Sequence, residues 1–262
     1  MPSSEREENG PVAVSPVAVV LAAGKGTRMK SELPKVLHEL VGAPLVSYPI
    51  RAARTAGVER AVVVVGYGAD AVRARLSTEL SRAELELEFA LQAEQRGTGH
   101  AVLCALPALA EHEGLVFILS GDVPLLRSVT LRALAEACAQ SSAGLALASF
   151  RPASNVGYGR VLRDAHGSVT GIREHRDASA EEREIRECNA GVYCARASLL
   201  RQVLPTLGSD NAQGEIYLTD LVERAAGAGS VIAVEIDDPL EVAGVNTPEQ
   251  LAALEDVIRE RR

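Results

Sequence analysis

Three loops and one stiff turn hold residues whose types and spacing could carry chemistry. The first loop, Gly24-Lys25-Gly26-Thr27-Arg28, follows the uncharged run Val17–Leu21 and two alanines. Glycines let a backbone turn sharply and bring its N–H groups close to a ligand, and Lys25 and Arg28 add positive charge. A strand ending in such a loop reads as a phosphate cradle at the edge of a sheet. The stiff turn is Leu33-Pro34-Lys35, where the proline blocks helix at Leu33 and places the lysine. The second loop runs from Gln92 to Gly99. The third, Ser120-Gly121-Asp122, closes the apolar run Leu115–Leu119. A carboxylate there can hold a hard cation such as Mg2+ by one or two oxygens, with nucleotide phosphates completing the shell. Asp122 also fits a helix cap or a turn, two places where aspartate is favoured.

Spelling removes several alternatives. No G-x-x-x-x-G-K-[ST] string occurs, and the dinucleotide fingerprint fails because its third small residue is replaced by Met29. A Gly-x-Gly turn also has a plain reading as a tight turn with no ligand. His38 and His100 have no Ser or Cys at triad spacing and read as structural. No paired carboxylates point to hydrolysis. The four cysteines, Cys104, Cys138, Cys188 and Cys194, have neither C-x-x-C spacing nor a clustered histidine, so they read as small core residues in a reducing compartment rather than zinc ligands.

These loops need strands to hold them. Val17–Leu21, Val62–Val65 and Leu115–Leu119 are unbroken apolar runs of the kind buried parallel strands carry. Leu85–Leu91 alternates apolar and acidic residues and reads as a strand nearer an edge. Helices are expected over Leu45–Gly57, Ala69–Leu80, the stretch after Gly99 up to Leu109, and Ser128–Gln140. Strands alternating with helices of this length predict right-handed βαβ crossovers and a mainly parallel sheet. The second half differs: Leu145–Phe150, Arg160–Leu162, Val169–Glu174 and Gly191–Ala195 are short and broken by Gly, Asp and Asn, which suggests antiparallel additions. Further helices are expected at Ser198–Leu204, Tyr217–Ala226 and Thr247–Arg259, with a strand at Val231–Ile236. Ligands of an open α/β sheet bind outside the carboxyl ends of its strands, where all three loops fall.

The chain has 262 residues, 47% hydrophobic and 24% charged, ordinary for a globular protein. A net charge of −8 argues against nucleic acid and membrane surfaces as partners. With no Trp, three Phe and five Tyr, stacking platforms for strands of bases are not expected. No apolar run reaches membrane-spanning length and no signal-peptide core is present, a cytoplasmic pattern. Residues 1–15 read as a disordered leader and 16–262 as one domain.

The blocks LAAGKGTRM, LPKVLH, LQAEQRGTGHA, GDVPL, GYGRV, IREHRDA, NAGVY, DNAQGEIYLTD and GVNT occur in this order across nearly the whole chain. Together they resemble the uridylyltransferase domain of the bacterial bifunctional N-acetylglucosamine-1-phosphate uridylyltransferase/glucosamine-1-phosphate acetyltransferase. The first block alone marks only the wider sugar-nucleotidyltransferase superfamily; the QAEQ-x-GTGHA and NAQGE-x-Y-x-TD blocks are more specific. The resemblance implies a Rossmann-like nucleotide-diphospho-sugar transferase fold, with a mixed, mostly parallel sheet flanked by helices and an antiparallel sugar-binding subregion. It implies the reaction of UTP with N-acetylglucosamine 1-phosphate to give UDP-N-acetylglucosamine and pyrophosphate. Leu21, Ala22, Ala23 and Gly24 would contact the nucleotide through the backbone, and Gln92, Gly97 and Thr98 would hold the uracil side. Ser120, Gly121 and Asp122 would line the substrate site. Asp122 and Asn246 would bind Mg2+, Arg28 and Lys35 would neutralise the phosphates, and Gly159, Glu174 and Asn189 would hold the sugar. A sister enzyme using glucose 1-phosphate or another nucleotide, and a non-catalytic UDP-sugar-binding module, are the competing readings.

The chain departs from the family in three places. Arg176 replaces a lysine in the EHKDA-type segment, and Ala190 replaces the threonine of an N-T-G segment. The β-helix acetyltransferase domain of hexapeptide repeats does not follow, so acetyltransfer is not expected, and a monomer or weak oligomer is.

Overall fold

Apolar runs without alternation are satisfied only in a sheet covered on both faces. Val17–Ala22 (β1) shows why: Val17 and Val19 pack into one core, Ala18 and Val20 into the opposite one. The computed structural model describes residues 14–81 and 85–260, so residues 1–13 of the expected leader lie outside the described residues.

After β1 come a small hairpin, β2 (Glu39–Leu40) and β3 (Ala43–Pro44), and helix α1 (Ser47–Thr55). Next are β4 (Arg60–Val65), α2 (Ala69–Glu79), β5 (Glu86–Leu91), α3 (Thr98–Ala105), β6 (Leu115–Ser120) and α4 (Ser128–Gln140). The second half supplies β7 (Leu145–Phe150), β8 (Arg160–Arg163), β9 (Val169–Arg173), the single turn α5 (Ala180–Arg183) and the long β10 (Cys188–Arg196). It ends with α6 (Ala197–Val203), α7 (Asp220–Ala226), β11 (Ile232–Ile236) and α8 (Pro248–Glu260).

Among the described residues nine strands form the main sheet, in the order β11-β7-β10-β6-β1-β4-β5, with β8 and β9 branching from β10. Strands β6, β1, β4 and β5 are parallel, and β5 lies at the edge as its alternation implies. β10 runs antiparallel to β6 and β7, and β8 and β9 form an antiparallel pair. Helices α1, α2 and α4 cover one face, and α3, α6 and α7 the other. All four cysteines are free, three buried and Cys104 half-buried. No helix among the described residues is long and apolar enough to cross a membrane.

The differences from the expected boundaries have local causes. α3 ends at Ala105 and continues as a 3-10 turn over Leu106–Leu109, because Pro107 lacks an amide hydrogen. α7 starts at Asp220 rather than Tyr217, since the segment before it is tied to the start of α3: Gly99 N donates to Ile216 O at 2.8 Å, and Leu218 N donates to Thr98 Oγ1 at 3.1 Å. β10 begins at Cys188, earlier than expected, and carries an irregularity between Asn189 and Tyr193 where Gly191 takes φ +72. The β2–β3 hairpin is too short for a periodicity signal.

Candidate active site

Parallel register aligns strand ends. Leu21 pairs with Ser120, Ala22 with Val65, and Val65 with Leu91, so the chain leaves β1, β6, β4 and β5 at one edge. β10, running the other way, brings its first residues to the same edge. A cavity of about 330 Å³ opens there, lined by Leu21–Gly24, Lys35, Val36, Gln92, Gln95, Gly97, Thr98, Ala101, Ser120, Asp122 and Glu215.

The opening loop is shaped by Gly26, which takes φ +66. A Cβ there would stand 2.3 Å from Lys35 Cβ, so the glycine leaves the path along which Lys35 reaches the cavity. Met29 is buried and anchors the following turn, leaving Arg28 exposed. Lys35 opens a 3-10 turn whose next two residues, Val36 and Leu37, are buried. Lys25, the other cation of the loop, holds its ammonium 5.1 Å from the centre of the Tyr67 ring.

Asp122 sits just past β6. Its carboxylate accepts from the Lys35 ammonium and, among the described residues, from no backbone N–H, so there it acts as neither a helix cap nor a turn lock. The α4 N-terminus is served by buried Glu241 instead, which accepts from Arg127 N at 3.2 Å. That contact also anchors the segment leading to Asn246. Val245 N donates to Asp122 O at 2.9 Å, and Thr247 and Gln250 form a reciprocal capping box at the start of α8. Gln250 Oε1 accepts from Asn246 N at 2.7 Å. So fixed, Asn246 Oδ1 accepts from Lys35 Nζ at 3.1 Å and from Arg28 Nη2 at 2.9 Å. Residues 28, 35, 122 and 246 thus meet in one network.

On the other side, Gln92 Nε2 donates to Gly97 O at 3.0 Å, and Gln95 Nε2 to Ala23 O at 2.8 Å. Gly97 has φ +103, and a Cβ there would stand 2.5 Å from Ile216 O. That close approach joins the Gln92–Gly99 loop to the segment carrying Glu215.

Gly159, Glu174 and Asn189 form a second cluster outside this cavity. Asn189 N donates to Gly159 O at 2.8 Å, and a Cβ on Gly159 would lie 3.6 Å from Glu174 Oε1. The Asn189 amide is engaged internally, donating to Tyr193 Oη at 2.7 Å and accepting from Gly191 N at 3.1 Å. Burial pushes the Glu174 carboxyl up, the Thr219 hydroxyl donating to it at 3.0 Å opposes this, and the nearby charges of Asp177 and Asp220 add to the rise. Gly191 sets this cluster against the cavity: a side-chain carbon there would be 3.8 Å from Ser120 Oγ.

The structure therefore gathers every residue singled out from the sequence at one sheet edge, in two adjoining groups. Ten line the cavity; Arg28 and Asn246 border it through the Lys35–Asp122 network, and Gly159, Glu174 and Asn189 form the neighbouring cluster. Gly121 does not line it; its N–H donates to Leu21 O at 3.0 Å and its missing side chain permits that approach. Gln95, Val36, Ala101 and Glu215 line the cavity without having been singled out, although Gln95, Ala101 and Glu215 lie inside the two most specific blocks.

Mg2+ binds through one or two carboxylates, with waters and substrate phosphates. Asp122 and Asn246 fit that demand: their side-chain oxygens converge on a single cation, the Lys35 ammonium. Among the described residues no three His, Cys, Asp or Glu side chains cluster as a metal site.

Residues 18–214 match the family described as MobA-like NTP transferase domain. The bifunctional protein GlmU of Sorangium cellulosum is 50% identical over 242 residues, 92% of this chain and 51% of that protein. GlmU of Geobacter metallireducens is 49% identical over 246 residues, 93% of this chain and 50% of that protein. The chain thus spans about half the length of the curated relatives it matches. A crystal structure of UDP-glucose pyrophosphorylase with UDP-glucose superposes with a TM-score of 0.75 over 95% of this chain and 100% of that one; at 17% identity the likeness shows the shared fold. A family match over most of the chain, on a sheet whose strand ends open onto the cavity, has one consequence: this chain belongs to the MobA-like NTP transferase domain family and is a nucleotidyltransferase.

Proposed function

We propose that the chain transfers a uridylyl group from UTP to N-acetylglucosamine 1-phosphate, giving UDP-N-acetylglucosamine and pyrophosphate, with Mg2+ as cofactor. The observation that carries this reading is the meeting of Arg28, Lys35, Asp122 and Asn246 beside a cavity edged by the β1 loop. The sugar phosphate oxygen attacks the α-phosphorus in line, so the protein needs no nucleophile and works by positioning and charge neutralisation. Leu21, Ala22, Ala23 and Gly24 cradle the nucleotide, Gln92, Gly97 and Thr98 hold the uracil, and Ser120 lies between the nucleotide and sugar sides. Arg28 and Lys35 supply positive charge to the phosphates. Asp122 and Asn246 would hold Mg2+, which when bound supplies Lewis-acid stabilisation of phosphoryl charge. Glu174 offers an acceptor to sugar hydroxyls, and Gly159 leaves room for the acetamido group.

Residues 16–262 act in this proposal as one cytoplasmic catalytic unit. The deciding experiment is a pyrophosphate-release assay with paired nucleotides and sugar phosphates. Turnover is expected to be fastest with UTP and N-acetylglucosamine 1-phosphate. Preference for glucose 1-phosphate or another nucleotide would assign the chain to a sister activity, and UDP-sugar binding without turnover to a binding module.

A further inference from the structure

Gln92 lines the cavity and is 4% exposed. An amide can face a ligand with either end, and the two ends recognise opposite chemistry: Oε1 accepts, Nε2 donates. Here the donor end is fully engaged. Nε2 lies 3.0 Å from the Gly97 carbonyl and 3.1 Å from Nδ1 of His100. A carbonyl only accepts, so Nε2 must face Gly97, and its second hydrogen is taken by His100 only if Nδ1 carries none. The ring hydrogen then sits on Nε2 of His100, facing Cys104 Sγ at 3.9 Å one helical turn along α3. Burial pushes the Cys104 thiol up, keeping it neutral. Among the described residues no hydrogen bond reaches Gln92 Oε1, so the acceptor end is the one left for a ligand in the cavity that Gln92 lines.

We infer that His100 is a positioning residue for base choice: with the Gly97 carbonyl it clamps the Gln92 amide so that only an acceptor faces the nucleobase. Set opposite ring position 3, that acceptor selects a base protonated there, as uracil is at N3. Cytosine, nearly the same shape, presents a lone pair at N3 and meets Oε1 acceptor against acceptor. The clamp is local in sequence: Gly97 turns the chain at φ +103 and α3 starts immediately after it, which returns His100 to Gln92. This rests on the proposed reading of Gln92 as a base-side residue.

The test compares UTP with CTP, by calorimetric titration and by kcat/KM for pyrophosphate release, in the parental protein, His100→Phe and His100→Asn. Asparagine carries an acceptor as far from the main chain as Nδ1; phenylalanine carries none. In His100→Phe the UTP-over-CTP ratio is expected to fall about tenfold, through KM for UTP with kcat nearly unchanged, and His100→Asn to recover most of it. A ratio unchanged in His100→Phe, including the case in which both affinities fall together, overturns the inference while leaving the proposed function standing. A parental protein that does not prefer UTP overturns both. Nitrogen NMR of the parental His100 ring is a check independent of how the variants fold: hydrogen on Nε2 is expected, and hydrogen on Nδ1 overturns the clamp.

Discussion

Replacing Asp122 tests the charge network from two directions. The Asp122 and Lys35 side chains are only 16% and 17% exposed, so their paired charges sit in a largely desolvated place and each depends on the other. Asp122→Ala strips Lys35 of its carboxylate and leaves it the Asn246 oxygen. Leaving a mostly buried charge with an incomplete shell costs about 1–3 kcal/mol, or a Tm loss of about 3–9 °C for a chain of this size. Lys35→Met should cost a similar amount, whereas the double variant Lys35→Met/Asp122→Ala should recover part of the loss, since removing both partners leaves neither stranded. Activity has the opposite logic. Asp122→Asn keeps an oxygen for Lys35 but loses the charge, and kcat/KM is expected to fall by about 10²–10³, equivalent to about 3–4 kcal/mol of transition-state stabilisation. Chelation should abolish turnover without lowering the Tm of the ligand-free protein, because Lys35 already supplies the countercharge. The assays are pyrophosphate release across a Mg2+ titration and thermal melts with and without chelator. Asp122→Asn turnover within threefold of the parental rate at every Mg2+ concentration would refute the metal role, and a double variant as unstable as the two single losses summed would refute the ion-pair account.

Arg28→Ala should lower kcat about 100-fold with little change in Tm, since the side chain is exposed and its hydrogen bond among the described residues is to Asn246 Oδ1; steady-state kinetics and a melt check both. Gly97→Ala forces a side chain into φ +103 and against Ile216 O, so it should cost about 1–3 kcal/mol and raise KM for UTP more than KM for the sugar phosphate, as denaturant melts and kinetics would show. Glu174→Gln separates stability from function. Burial raises the carboxyl pKa in the folded state, so the folded protein binds the proton more tightly than the unfolded chain and loses stability as pH rises from the ordinary glutamate range through the raised value. The amide variant should therefore melt higher than the parent at neutral pH, the gain vanishing at pH below the ordinary range, while KM for the sugar phosphate rises about tenfold. An equal Tm difference at pH 3.5 and pH 7, values on either side of the ordinary glutamate pKa of about 4.3, would rule that account out.

The sequence by itself determined the sheet and its loops. Val62–Val65 and Leu115–Leu119 are too continuously apolar for anything but covered strands, and helices between them leave parallel pairing as the economical topology, so the loops after β1, β5 and β6 had to share an edge. Local spelling also showed that the first loop was neither a P-loop nor a dinucleotide turn, and placed Lys35 on a rigid turn. What it could not express is anything that depends on distant backbone meeting. Asn246 reaches Asp122 only because Glu241, a capping box and Val245 N pin a segment more than a hundred residues away. Lys35 reaches that pair because Gly26 lacks a side chain. His100, which its neighbours in sequence mark as merely structural, gains a task from the angle at which Gly97 starts α3. Periodicity reports which face of an element is buried; hydrogen-bond partners are set by how the elements pack, and the tertiary structure alone decided those.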